Sequence, residues 1–518
     1  MHLLPAFARR LSVRTAVLCC ALSLAGADLP LRAAPAATLP DLVLSGELGE
    51  HDHQTYRTVP FVVPEGTARI TVRFAYTGRE QRTTIDLGLI GPDGFRGWNG
   101  FNGWSGGNKS VFTVSAVDAT PSYRPAPVVP GEWALLLGIP NLRPGMRSTY
   151  TAEVYFARSL AVAAEPAFLR PVLEGGEGWY RGDFHAHTGH SDGWMRHADA
   201  ARIPAPVHVA IEEAVAAGLD FLALTEHNTT SVANALRELQ PLYPRLLLLP
   251  GQELTTFHGH ANAFGTLAPL DFRVGSPAVP SWDVLLDQAA DAGALVSVNH
   301  PVRPSGEACM GCGWTNPADL ARVQAIEIVN GTDAGTAYSG IPFWHQQLNA
   351  GLRLTGIGGS DTHGWREDDA TPTAARVGRP TTVVHASNLS VGALLHGVRH
   401  GRVFVDVQGT RDSALDLRAS TPGGARAVMG GVLTVRPGER VLFAAHARAA
   451  GASRVVTIAD GNVDPAFLHA AEAARIEDHR FEWQPPPGWH WVRIDVVDAS
   501  GTLLLVGNPI YLNVSGEK

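Results

Sequence analysis

Histidines and carboxylates recur through the middle of the chain in short clusters whose spacing suits metal ligation. Residues Asp183 to Asp192 read Asp-Phe-His-Ala-His-Thr-Gly-His-Ser-Asp. His185 and His187 stand two residues apart, so in an extended segment both imidazoles face one side. Further clusters are Glu226-His227-Asn228, Gln252-Glu253, His258 and His260 flanking Gly259, Asn299-His300-Pro301, Glu327 with Asn330, and Ser360-Asp361-Thr362-His363. Nine of these side chains are candidate ligands: His185, His187, Asp192, His227, Glu253, His260, His300, Asp361 and His363. Imidazole mixed with carboxylate suits Zn, Mn or Fe better than Ca or Mg, which prefer all-oxygen shells. The set exceeds one tetrahedral ion and suffices for two to three, with Glu253 or Asp361 as a bridge. Multinuclear sites of this kind serve hydrolysis.

Such side chains converge only if the backbone delivers them to one place. Between Gly178 and about Val405, apolar runs (Phe221 to Leu224, Leu246 to Leu249, Ala294 to Val298, Ala325 to Val329, Leu354 to Ile357) alternate with helix-like segments. Those segments are Val207 to Ala217, Ser231 to Leu239, Trp282 to Ala292 and Pro342 to Ala350. Continuous apolar strands between helices indicate a parallel sheet covered on both faces, and a barrel is its natural closure. Each polar cluster follows a strand directly, the position where barrels build their active sites. On either side the pattern is all-β. Thr67 to Tyr76, Trp133 to Gly138 and Tyr150 to Phe156 are strands before the barrel, and Val432 to Val435, Arg440 to Ala445, Arg454 to Ile458, His490 to Val497 and Leu503 to Val506 follow it. Both regions read as β-sandwiches. Trp98, Phe101 and Trp104, in a Gly/Asn-rich stretch, read as a long loop packing its own aromatics, with a carbohydrate platform as the sharper alternative.

Five of the clusters, in order, resemble the motifs of the PHP (polymerase and histidinol phosphatase) superfamily of metallohydrolases. They are His185-Ala186-His187, Glu226-His227, Gly251-Gln252-Glu253, Asn299-His300-Pro301 and Asp361-Thr362-His363. The resemblance covers roughly 178–402, and β-rich flanks on an exported chain are similar to the CehA/McbA-like branch. It implies a distorted (β/α)7 barrel flanked by N-terminal and C-terminal β-sandwich domains. It also implies one ion on His185, His187, Glu253 and Asp361, one on Glu253, His260 and His300, and one on Asp192, His227 and His363. A bridging water would be deprotonated near neutral pH, with Glu253, Asp361 and His363 as the catalytic set. His260 is taken as the ligand and His258 as a substrate contact. Arg303 is a candidate clamp for phosphate or carboxylate, and Asp183 and His190 fall back to supporting roles.

Residues 1–37 read as a signal peptide: Arg9, Arg10 and Arg14 precede an apolar stretch from Ala16 to Ala27, too short to span a bilayer. The expected organisation is 41–165 sandwich, 178–405 barrel and 406–515 sandwich, in a periplasmic or secreted protein. Of four cysteines, Cys309 and Cys312 lie beyond the signal, and an oxidising compartment favours a disulfide between them over half a zinc site. A net charge of -8 without a basic run excludes an electrostatic nucleic-acid footprint, and no stable membrane insertion is expected. The leading function is phosphomonoester or phosphodiester hydrolysis of a small molecule. The alternative is a carbamate, ester or amide hydrolase, and the second alternative a non-catalytic glycan-binding protein. Cationic side chains in the pocket discriminate the first two, with Arg303, Arg196, Arg202 and Arg366 as candidates.

Overall fold

In a computed structural model, the described residues are 39–515 apart from Trp98, 117–118, 159–172, 174, 198–200, 267–268, 316–317, 367–374, 452 and 464–478. The expected signal segment 1–37 and Trp98 lie outside them.

Eight strands come first: β1 (Leu42–Leu48), β2 (Tyr56–Val63), β3 (Arg69–Tyr76), β4 (Thr84–Ile90), β5 (Phe101–Trp104), β6 (Val111–Ser115), β7 (Gly131–Asn141) and β8 (Ser148–Ala157). They form two four-stranded sheets, ordered β1-β8-β3-β6 and β2-β7-β4-β5. Strand alternation turns Ile70, Val72, Phe112, Leu135, Leu137 and Val154 inward, and these share one apolar core. Phe101 and Trp104 are strand residues, only 3% and 2% exposed, and Trp104 meets the edge of Phe272 at 4.8 Å. They are packing residues, not the loop or open platform the sequence suggested.

The central strands are β9 (Gly178–Asp183), β10 (Phe221–His227), β11 (Leu247–Thr256), β12 (Gly259–Phe264), β13 (Leu295–Asn299), β14 (Ala325–Asn330), β15 (Thr355–Gly359), β16 (Thr381–Ala386) and β17 (Val403–Asp406). Helices α1 (Val207–Ala217), α2 (Val232–Leu239), α3 (Trp282–Asp291), α4 (Ile341–Asn349) and α5 (Val391–Arg399) alternate with them. Pairs β9/β10, β10/β11, β13/β14 and β14/β15 are parallel. The strict strand-helix repeat breaks at β11–β12–β13, which are antiparallel neighbours. Gly259 (φ 130) opens β12 opposite Thr256, directly after the two-residue turn Phe257–His258, where a helix has no room. Just past their carboxyl ends β15, at one edge of the sheet, and β9, in its interior, meet at a parallel Ala186/Thr362 bridge, with Asp361 N to His185 O at 2.8 Å and His187 N to Thr362 O at 3.0 Å. Thr382 Oγ1 links β16 to the Gly358 backbone at 2.6 and 2.7 Å.

The last strands are β18 (Ala414–Ser420), β19 (Val432–Val435), β20 (Val441–Arg448), β21 (Ser453–Ala459), β22 (His479–Trp483), β23 (Gly488–Asp498), β24 (Leu503–Gly507) and β25 (Ile510–Val514). One layer contains β18, β20 and β22. The other is not a separate sheet: β24 pairs with β17, so the central sheet runs on through β23 and β21. This pairing covers an edge that would otherwise be open. Leu417, Phe443, Ile494, Val496 and Leu512 fill the space between the layers.

Candidate metal centre

The first group forms where the chain leaves β9 and β15. His185 Nε2 lies 3.3 Å from Asp361 Oδ1 and 3.5 Å from Glu253 Oε1, and His187 Nε2 lies 3.2 Å from the same Asp361 oxygen and 3.6 Å from Glu253 Oε2. His185 Nδ1 is turned to Glu327 Oε1 at 2.9 Å, which leaves Nε2 as the free donor nitrogen. Gly359 makes this approach possible, because a Cβ there would stand 2.4 Å from His185 Cβ and 2.5 Å from Glu327 Oε1.

The second group gathers on Glu253 from the other side. His260 Nδ1 and His300 Nε2 are each 3.4 Å from Glu253 Oε1, and Asn299 Nδ2 donates to that oxygen at 2.9 Å. His260 Nε2 is bonded to the Met310 carbonyl at 3.2 Å, which fixes Nδ1 toward the carboxylate. In the third group, Asp192 Oδ1 is 3.4 Å from His227 Nε2 and 3.3 Å from His363 Nε2, and the two imidazole nitrogens are 3.4 Å apart. His363 Nδ1 is spent on the Asp361 carbonyl at 2.9 Å, and His227 Nδ1 on Thr255 Oγ1 at 2.8 Å and Glu253 Oε2 at 2.8 Å. Thus all nine candidate ligands lie in one connected cluster; its tightest sets of ligand atoms are His185, His187 and Asp361, then His187, Asp192, His227 and His363, with His260 and His300 beside Cys312.

Whether ions fit can be judged from the ligand atoms themselves. His185 Nε2, His187 Nε2 and Asp192 Oδ1 are buried without a hydrogen-bond partner among the described residues. Native interiors rarely leave such atoms unmatched, and convergent ones call for a cation. Within the cluster the charges balance by pairing: against the lowering effect of burial, the carboxylates hold His185 and His227 well above the ordinary imidazole value and His363 up to about 9. Burial pushes the Glu253 carboxyl up, but His185 and His227 hold it well below the usual range; His363 and His227 do the same for Asp192, and His185 and His187 for Asp361. His187 is pushed down to about 3 by burial and by the neighbouring His363 and His227, so it stays in the neutral, ligating form. Backbone strain is concentrated in the same place: Asn228, His300 and Asp361 have φ of 54, 27 and 54°.

Exposure differs between the groups. His185, His187 and Glu253 are at most 1% exposed, whereas Asp192, His227 and His363 open onto a cavity of about 690 Å³. Arg303 lines that cavity, but its guanidinium is held by Asp333 at 2.6 Å and Asn330 at 2.7 Å, with Asp361 at 3.7 Å. His258 is not among the cavity-lining residues. His190 Nδ1 bonds Ser231 Oγ at 2.8 Å, apart from the groups, and Asp183 accepts from backbone amides of His185, Ser360 and Gly378. Arg202 lies over Trp194 at 3.7 Å, Arg196 over the same ring at 5.5 Å, and Arg366 pairs with Glu212 at 3.1 Å; none of the three lines the cavity.

Three contributors escaped the sequence. Glu327, which the sequence offers only as a neighbour of Asn330 with no role, accepts from His300 N at 3.0 Å and Asn330 Nδ2 at 2.9 Å as well as facing His185. Lys109 and Asp86, from the N-terminal strands, carry no motif at all. Lys109 Nζ donates to Gly189 O at 3.0 Å and Ser191 O at 3.3 Å, bracing the segment that presents Asp192. Asp86 faces the cavity, and burial raises its carboxyl to about 7 against the opposing pull of His227.

No protein-family model matches the chain, and no curated protein matches it. Among solved structures it is similar to a two-domain protein containing a predicted PHP-like metal-dependent phosphoesterase from Bacteroides vulgatus. Identity there is 18%, over 67% of this chain and 100% of that one, with a TM-score of 0.37. It also matches the fibronectin(III)-like modules of Clostridium thermocellum CbhA at 15% identity, over 19% of this chain and 99% of that one, with a TM-score of 0.14. At these scores the case for function rests on the side-chain geometry of this chain.

Proposed function

We propose that the chain is an exported metal-dependent hydrolase of the PHP type, CehA/McbA-like, most suited to phosphoester hydrolysis, with two or three Zn, Mn or Fe ions. One observation carries this reading: nine imidazole and carboxylate groups converge around Glu253 with buried ligand atoms left unpaired. Bound there, divalent ions would supply Lewis acidity and an activated water. Glu253 stands between two histidine groups and would serve both, Asp361 would serve the His185/His187 group, and Asp192, His227 and His363 face the cavity. His363 has Nδ1 on the Asp361 carbonyl and Nε2 in the third group, so its part in the reaction would be that of a ligand at the cavity edge rather than a proton donor. The curled central sheet is read as a distorted (β/α)7 barrel spanning 178–405, between sandwich domains at 41–165 and 406–515. Export is supported by the apolar segment after Arg14 and by the Cys309–Cys312 disulfide.

The commitment of Arg303 to Asp333 favours a second reading, hydrolysis of a neutral ester, amide or carbamate, because a phosphate wants free cations beside the metals. Metal analysis combined with turnover of aryl phosphates, phosphodiesters, aryl carbamates and aryl esters decides between them. Cleavage of phosphoesters with at least two bound metal equivalents is expected. Turnover of carbamates or esters alone would select the second reading. A metal-free protein inert after reconstitution would leave a binding protein.

A further inference from the structure

The cavity has two walls of different origin. One is the ligand cluster, and the other is built from the N-terminal strands, through Tyr76, Arg79, Asp86, Trp104 and Asn108. That second wall is fixed against the first. Lys109 Nζ ties Ser122 Oγ at 2.9 Å to the Gly189 and Ser191 carbonyls, Thr229 Oγ1 donates to Ser122 O at 2.9 Å, and Tyr56 stacks on Phe257 with ring centres 4.9 Å apart.

Asp86 stands out on this wall. Its neighbours Ile85 and Leu87 are 1% exposed and point into the sandwich core, so alternation along β4 turns Asp86 the other way. The β4/β7 register shifts between Thr84 and Asp86, an irregularity of the kind that re-aims a side chain beside an active site. No hydrogen bond or ion pair engages its carboxylate among the described residues. Half-buried and turned into the cavity without a protein partner, the Asp86 carboxylate is left to meet a bound ligand. Asp86 faces the same space as Asp192, so a second anionic group on the substrate would be repelled there, while hydroxyl donors would be welcomed. Asn108 and Thr84 add neutral hydrogen-bonding groups, and a cavity of about 690 Å³ holds a small molecule of one or two rings.

We propose that Asp86, supplied by the N-terminal lobe, binds hydroxyl groups of the leaving group opposite the metal cluster, so that the substrate is a small polyhydroxylated, sugar-like ester. This rests on the hydrolase reading above. The test uses the full-length, metal-loaded protein and leaving groups compared at one linkage: glucose 1-phosphate against phenyl phosphate, and the acetates of the same two alcohols. Wild type should favour the sugar member of the cleaved pair. Asp86→Ala should lose about tenfold more kcat/KM on the sugar member than on the phenyl member, mostly in KM, with metal content unchanged. Asp86→Asn, which preserves shape and one acceptor, should lose less, and it serves as the readout if the Ala variant fails to fold. Equal losses on both members, no loss, or loss of metal would overturn the role of Asp86. If only acetates are cleaved, the phosphoester reading falls and Asp86 is judged on the acetate pair; if neither linkage is cleaved, both fall.

Discussion

The two β-rich flanks look alike in sequence and differ in how they serve the centre. The C-terminal strands continue the central sheet through the β17/β24 ladder, yet none of their residues lines the metal cavity. The N-terminal sandwich shares no ladder with the central sheet among the described residues, yet it supplies a cavity wall and braces the loop carrying Asp192. Backbone continuity is therefore a poor guide to chemical participation. A ladder satisfies N–H and C=O groups and covers an edge, whereas a lobe docked through loops can place individual side chains against a site.

The sharpest way to set a scale for this contrast is to strike the centre itself. Glu253→Ala removes the carboxylate between two histidine groups, and Asp361→Ala the one shared by His185 and His187. Losing several kcal/mol of transition-state stabilisation lowers turnover roughly a thousandfold or more. Metal content measured by elemental analysis should drop in both variants, and full turnover in either would show that the cluster is not the active centre.

Next, Lys109→Met asks whether the N-terminal lobe reaches the proposed metal site. The variant keeps length but abandons the Gly189 and Ser191 carbonyls. Supporting groups one step from a ligand typically matter about 10–100-fold in metal affinity. Chelator competition should show that loss for the most weakly held equivalent. Unchanged affinity would reduce the lobe to a passive cover.

The same contrast explains what the sequence revealed. Most ligand motifs were legible because they sit at or just past a strand end, where position is set by a local apolar run, as with Phe221 to His227; Glu253 instead lies inside β11 and His260 at the start of β12. The helix at Val207–Ala217 was legible as a helix-like segment ahead of the apolar run Phe221 to Leu224. The antiparallel β11–β12 turn was not, because His-Gly-His reads as a ligand cluster and hides the reversal at Gly259. Lys109 and Asp86 were illegible for a different reason: their roles depend on contacts 80 or more residues away, such as Lys109 to Gly189, which no local pattern encodes. Likewise, alternation foretold the C-terminal strands, but whether they closed on themselves or joined β17 is decided by long-range pairing.

For the C-terminal flank, Phe443→Ala should act on stability alone. Phe443 is fully buried and stacks on Phe481 with centroids 4.7 Å apart. Emptying that space costs about 3–5 kcal/mol, visible as a lower urea midpoint. Metal stoichiometry and kcat of the folded fraction should hold, since no C-terminal residue lines the cavity. A fall in kcat at full folding would break the comparison.

The smallest effect is expected at the outer seam of the N-terminal lobe. Arg143 reaches Glu307, on the loop that carries the disulfide, with both nitrogens at 2.7 Å from its oxygens. The geometry is bidentate, but the side chains are 48% and 43% exposed, so water and salt screen the pair. Exposed pairs of this kind contribute little, and Arg143→Ala should shift the urea midpoint only slightly. Its value lies in position. That loop also presents the Met310 carbonyl to His260, so if the variant loosens metal binding without changing stability, the lobe acts on the cluster through the rim as well as through Lys109. If neither stability nor metal affinity moves, the lobe's influence is confined to the buried contacts at Gly189 and Ser191, and the seam is only a solvated boundary.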